Sequence, residues 1–102
     1  MATSSEWHED YSRMSEDALN FSRAVKSVQE ELEAVDWYNQ RAQATRDEQL
    51  KRILAHNRDE EIEHAMMGLE YLRRISPVFD KHMRTYLFTE GDITAIEEKA
   101  ED

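Results

Sequence analysis

From Ser15 to Ile75 the chain contains no proline and a single glycine, Gly68. With Gly 2 and Pro 1 in 102 residues there is little to build turns from, so long helices are the default. The apolar spacing agrees. Phe21, Val25, Val28, Leu32, Val35 and Ala42 recur at intervals of three, four and seven, which predicts a first helix over 15–44 with one packed stripe. Ser15 suits its cap, with Glu16 and Asp17 in the first turn. Such a helix is about 45 Å long. A lone domain of this size needs another helix or subunit along it.

A second helix is expected over 46–75. Thr45-Arg46-Asp47-Glu48 has capping-box spacing, with Thr45 as the cap and Glu48 returning the bond. So little chain separates the two runs that they either fold back as an antiparallel hairpin or continue with a kink, and the hairpin is preferred because both helices need cover for their apolar faces. Ser76 and Pro77 end the second helix and open a short third one, as cap and first position. That segment carries Val78, Phe79, Met83, Tyr86, Leu87 and Phe88, a patch too large for a small monomer to leave exposed. Glu90-Gly91-Asp92 breaks it, and a last turn follows over 94–99. The expected organisation is all-α: a loose arm over 1–14, a helical unit over 15–96 and a flexible tail over 97–102. In the arm, Trp7 or Tyr11 is placed to tuck onto a partner, and His8-Glu9-Asp10 reads as tail rather than metal site.

The informative stretch lies inside the second helix. Counted at about 100° per residue from Leu50, the positions Leu50, Ile53, Leu54, Gly68, Tyr71, Leu72 and Ile75 fall in one arc of roughly 100°. Asn57, Glu61 and His64 fall in the same arc. Glu61-Ile62-Glu63-His64 thus puts a carboxylate and an imidazole one turn apart on a face expected to be covered. A covered carboxylate is normally paired, protonated or bound to a metal. On the first helix Glu31 sits at the edge of the apolar stripe. It is 14 residues before Thr45 and Glu61 is 16 after it, so the hairpin brings them to nearly the same height.

One lone glutamate and one Glu-x-x-His pair are half of the ligand set of a dinuclear iron site in a four-helix bundle. A symmetric homodimer supplies the other half and completes the bundle. Hard carboxylates hold and bridge two iron ions, and one imidazole per iron leaves positions open for dioxygen. From the residues alone three readings stand: a metal site, a buried salt-bridge or hydrogen-bond network, and a helical adaptor with no site.

The other candidates read more plainly. His56 and His82 are surface or interface polar residues, Asp59, Glu60 and Glu63 are solvated, and Met66-Met67 is core packing. Glu30 and Glu33 point away from the stripe, as does Trp37, whose position suggests a second covered surface on a partner chain. Tyr38 returns to the stripe beside the face of Glu31. Asp+Glu 23 against Lys+Arg 13 gives a net charge of −10, a field that repels nucleic acid and favours cations. Cys 0 removes disulfides, thiolate metal sites and cysteine nucleophiles, and fits a reducing compartment. No run of 18 apolar residues and no basic, apolar leader is present, so neither a membrane span nor a secretory signal is expected.

At Glu30-Glu31-Leu32-Glu33-Ala34-Val35-Asp36-Trp37-Tyr38, at His56-Asn57-Arg58-Asp59-Glu60-Glu61 with Glu63-His64-Ala65, and at Met83-Arg84-Thr85-Tyr86-Leu87-Phe88-Thr89-Glu90, the sequence resembles the encapsulated ferritins, ferritin-like cargo of encapsulin shells. The resemblance implies that Glu31, Glu61 and His64 from two subunits are the ligands of one di-iron ferroxidase centre, two ions per dimer interface. It implies oxidation of ferrous to ferric iron with dioxygen. Glu30 and Glu33 would hold cations on the way in, with Trp37 and Tyr38 close to the centre. It further implies a ring of five dimers, a cytoplasmic location inside an encapsulin nanocompartment, and iron passed to mineral storage there. Calcium can substitute for iron at oxygen-rich sites in crystals. Family members usually continue into a tail with an encapsulin-binding peptide, and Glu97-Glu98-Lys99-Ala100-Glu101-Asp102 shows none. A trimmed tail or another loading mode is expected. Rival expectations are a non-catalytic, metal-bridged or purely structural helical oligomer, and a ferritin-like oxidase with another substrate.

Overall fold

In the computed structural model, which describes residues 7–101, the Ser15 hydroxyl accepts the amide of Ala18 at 3.1 Å, and α1 runs over Glu16–Ala44. Upstream, Asp10 caps a short 3₁₀ turn over Tyr11–Arg13, and the ring of Trp7 lies tilted against that of Tyr11, centroids 5.9 Å apart. The arm expected over 1–14 thus holds one short turn, and its residues 1–6 lie outside the described residues. The second long helix, α2, spans Glu48–Ile75 and packs antiparallel along α1. The two are joined by three residues.

The cap of α2 differs from the sequence expectation. Asp47, not Thr45, is the cap: its carboxylate accepts the amide of Leu50 at 2.8 Å. Thr45 closes α1 instead, its amide donating to the carbonyl of Arg41, while its hydroxyl accepts the amide of Asp47 at 3.2 Å. A carboxylate two residues later is the stronger acceptor for the positive end of the helix. At the far end Ser76 accepts the amide of Phe79 at 3.2 Å and Pro77 opens α3, Pro77–Tyr86, as expected. Beyond Gly91, Asp92 accepts the amide and the hydroxyl of Thr94, and α4 covers Ile93–Glu101. A full helix thus stands where one turn was expected, and it takes in most of the expected tail.

Among the described residues, Val28 and Ala42 of α1 and Ala65 and Leu72 of α2 are the buried apolar residues. At the α1 end of the hairpin Phe21 meets Phe79 of α3 edge-on at 6.0 Å. The expected seam is only half covered, because Leu50, Ile53, Tyr71 and Ile75 stay exposed in the single chain. One neighbouring helix covers a narrow strip of α2, whereas an apolar arc of roughly 100° needs neighbours on both sides. The dimensions carry the same message. The radius of gyration is 17.5 Å, against about 13 Å for a compact chain of this length. Leu87 and Phe88 also stand in solvent, with Phe88 at a φ of 61°. No helix among the described residues is long and apolar enough to cross a membrane.

Candidate metal centre

Antiparallel packing brings the middle of α1 against the middle of α2. Arg58, one turn before Glu61, donates to the side-chain oxygen of Asn39 at 2.9 Å and ties the helices together there. One turn beyond His64, Gly68 lies against Val28 of α1. Between these two ties the ligand candidates converge. The Nδ1 atom of His64 stands 3.7 Å from a carboxylate oxygen of Glu31 and 3.7 Å from one of Glu61.

Those separations are too long for hydrogen bonds. The three donor atoms lie within 4.8 Å of one another. Donors bound to one ion at about 2.1 Å sit roughly 3–4 Å apart, so small side-chain rotations close this set on a cation. Among the described residues no lysine or arginine pairs with Glu31 or Glu61. The side chains are 30% exposed for Glu31, 24% for Glu61 and 42% for His64, so the site is half-buried at the edge of the hairpin. The single chain covers the carboxylates and the imidazole only in part, by the same one-sided packing that leaves the apolar seam open. Two carboxylates and an imidazole suit iron and other cations that accept mixed oxygen and nitrogen donors.

The remaining candidates lie outside this cluster. Glu30 and Glu33 are exposed on α1. Trp37 is exposed, and Tyr38 is half-buried with the guanidinium of Arg41 5.5 Å above its ring. His56 pairs with Glu60 at 3.5 Å on the surface, and Met66 and Met67, expected in the core, are exposed.

A second charged constellation was not expected from the sequence. Arg73 donates to both oxygens of Glu70 at 2.8 and 2.7 Å and to Asp80 at 2.7 Å, tying α2 to α3. Arg74 and Arg84 complete it, on Glu70 and Asp80 respectively. The arginine hydrogen bonds pull the Glu70 carboxyl down to about 2, and Arg73 and Arg84 hold Asp80 below the usual carboxylate range. The three- and four-residue spacings of Glu70, Arg73 and Arg74, and of Asp80 and Arg84, were the available signal.

The sequence pattern of the EncFtn-like family matches residues 6–90. The chain is 58% identical over 95 residues to an encapsulated ferritin-like protein of Rhodospirillum rubrum, covering 93% of this chain and 68% of that one. It is 52% identical over 94 residues to a ferritin-like protein of Thermotoga maritima, covering 92% and 82%. A crystal structure of a protein from Nitrosomonas europaea superposes with a TM-score of 0.83 at 53% identity, over 85% of this chain and 96% of that one. With the family pattern spanning most of the chain and both relatives matching nearly all of it, the protein belongs to the EncFtn-like family, the encapsulated ferritins.

Proposed function

We propose that two protomers face each other across the open seam and bring Glu31, Glu61 and His64 of each around a pair of iron ions. The protein is a ferroxidase, with ferrous iron as substrate and dioxygen as electron acceptor. The observation that carries the proposed site is the convergence of two carboxylates and an imidazole from two helices within 4.8 Å, with no lysine or arginine paired to either carboxylate among the described residues.

A pair of protomers supplies four carboxylates and two imidazoles, the complement of a dinuclear site in a four-helix bundle. The carboxylates balance the cationic charge, which rises as each ferrous ion gives up one electron, and favour the ferric product. His64 contributes a neutral nitrogen and leaves room for dioxygen. In the facing pair, water is excluded from a site that one chain leaves half open, which strengthens the hold of the carboxylates.

The assembly is a homo-oligomer whose working unit is the dimer, and a ring of five dimers is the form we propose. Its place is the cytoplasm, inside an encapsulin shell that stores the oxidised iron. Glu30 and Glu33, exposed on a chain of net charge −10, concentrate cations on the way to the centre. Trp37 and Tyr38 pack beside it when the second protomer is in place. Calcium competes for the same oxygens.

His64→Ala tests the reading. Stopped-flow oxidation of ferrous iron should lose most of its rate while size-exclusion chromatography shows the oligomer intact. An assembled H64A protein that oxidises iron at the wild-type rate would refute the site. A protein whose wild-type form binds metal without turning over iron would be a scaffold.

A further inference from the structure

Gly68 costs α2 roughly 1 kcal/mol of helix propensity relative to alanine. Its surroundings explain why the chain tolerates it. A Cβ built on Gly68 would stand 2.6 Å from the Cγ2 methyl of Val28, well inside the roughly 3.5–4.0 Å of an ordinary carbon contact. Val28 is 7% exposed, and a β-branched side chain in a helix has one strongly preferred rotamer. Turning the methyl away would force Val28 out of its preferred rotamer in a buried position, so relief comes from the two helices separating by about 1 Å. The contact lies one turn from the metal-centre candidates on both helices. Gly68 is four residues beyond His64, and Val28 is three residues before Glu31.

We propose that Gly68 and Val28 are a positioning pair that sets the α1–α2 separation at the metal centre and keeps Glu31 within reach of Glu61 and His64. The inference rests on the metal-centre reading. His64 and Glu61 share a helix, so their mutual spacing is fixed locally. Glu31 comes from the other helix and moves with the gap. A methyl at position 68 should thus loosen one ligand of three while leaving the fold standing.

The test is a titration of the assembled protein with Co2+, read by visible absorption, alongside ferrous turnover. Gly68→Ala should weaken Co2+ binding by about 10- to 100-fold, the range found when support for a metal ligand is disturbed. It should raise the KM for ferrous iron more than it lowers kcat, with the thermal midpoint falling little. The rescue is specific. The Val28 Cβ stands 3.9 Å from the built Cβ, ordinary contact, so Val28→Ala with Gly68→Ala removes the clash and should restore Co2+ affinity to near the wild-type value. A folded Gly68→Ala protein that binds Co2+ as wild type does overturns the proposal, and so does a double variant as weak as Gly68→Ala alone. Should Gly68→Ala alone fail to assemble, the double variant decides against wild type: equal affinity supports the proposal and a tenfold loss overturns it. Wild-type protein that binds no Co2+ would sink the metal-centre reading itself.

Discussion

The two acidic constellations on α2 meet opposite fates. At the α3 end, Glu70 and Asp80 are held by Arg73, Arg74 and Arg84 at 2.7–3.0 Å, and every carboxylate has a fixed cation. In the middle of the hairpin, Glu31 and Glu61 have only His64 among the described residues, at 3.7 Å. The same residue type is closed off in one place and left open in the other. Closed carboxylates orient helices, and open ones that converge from two helices are left free to take a cation. The acidic balance of the chain does not separate these cases; the partner atoms do.

Breaking the open constellation should have the largest effect. Glu61→Ala removes two of the four carboxylates from the paired site, and ferrous oxidation should fall by at least about 100-fold, measured by stopped-flow absorbance on the assembled protein. Breaking the closed constellation should act on structure instead. Arg73→Ala leaves Glu70 and Asp80 with one arginine each. It should lower the thermal midpoint by a few degrees, read by calorimetry, with turnover per assembled dimer nearly unchanged.

Acid sharpens the contrast further. Glu70 and Asp80 are depressed in the folded chain, so their contribution is present above their unfolded values and is lost as pH falls through the folded ones. For Glu70 that window runs from 4.5 down to about 2. The gap in thermal midpoint between wild type and Arg73→Ala should be constant at neutral pH and shrink across this window. The smallest effect belongs to the exposed carboxylates. Glu30→Gln with Glu33→Gln should slow oxidation a few-fold at limiting ferrous iron, less at high salt, and not at saturation.

Much of this was legible in the sequence. The absence of proline and near-absence of glycine between Ser15 and Ile75 implied two long helices, and Ser76-Pro77 marked the third. The near-equal distance of Glu31 and Glu61 from the turn put them at nearly one level, where the hairpin brings them together. The α2 cap was misassigned because two oxygen side chains compete at the turn, and Asp47 has the stronger acceptor. Leu50, Ile53, Tyr71 and Ile75 were expected to be covered, but an apolar period does not say whether the cover comes from the same chain. Arg73 reaches Asp80 across the break at Ser76, a contact that only the angle between α2 and α3 determines.

The central claim is that two copies of Glu31, Glu61 and His64 share one pair of iron ions. Crystals soaked anaerobically in ferrous iron, with anomalous data collected at the iron edge, test it directly. The account predicts two adjacent iron peaks on the seam between paired protomers, each touched by carboxylate oxygens of Glu31 and Glu61 and by a His64 nitrogen. An empty seam in an iron-soaked dimer, or iron bound only at Glu30 and Glu33, would contradict it.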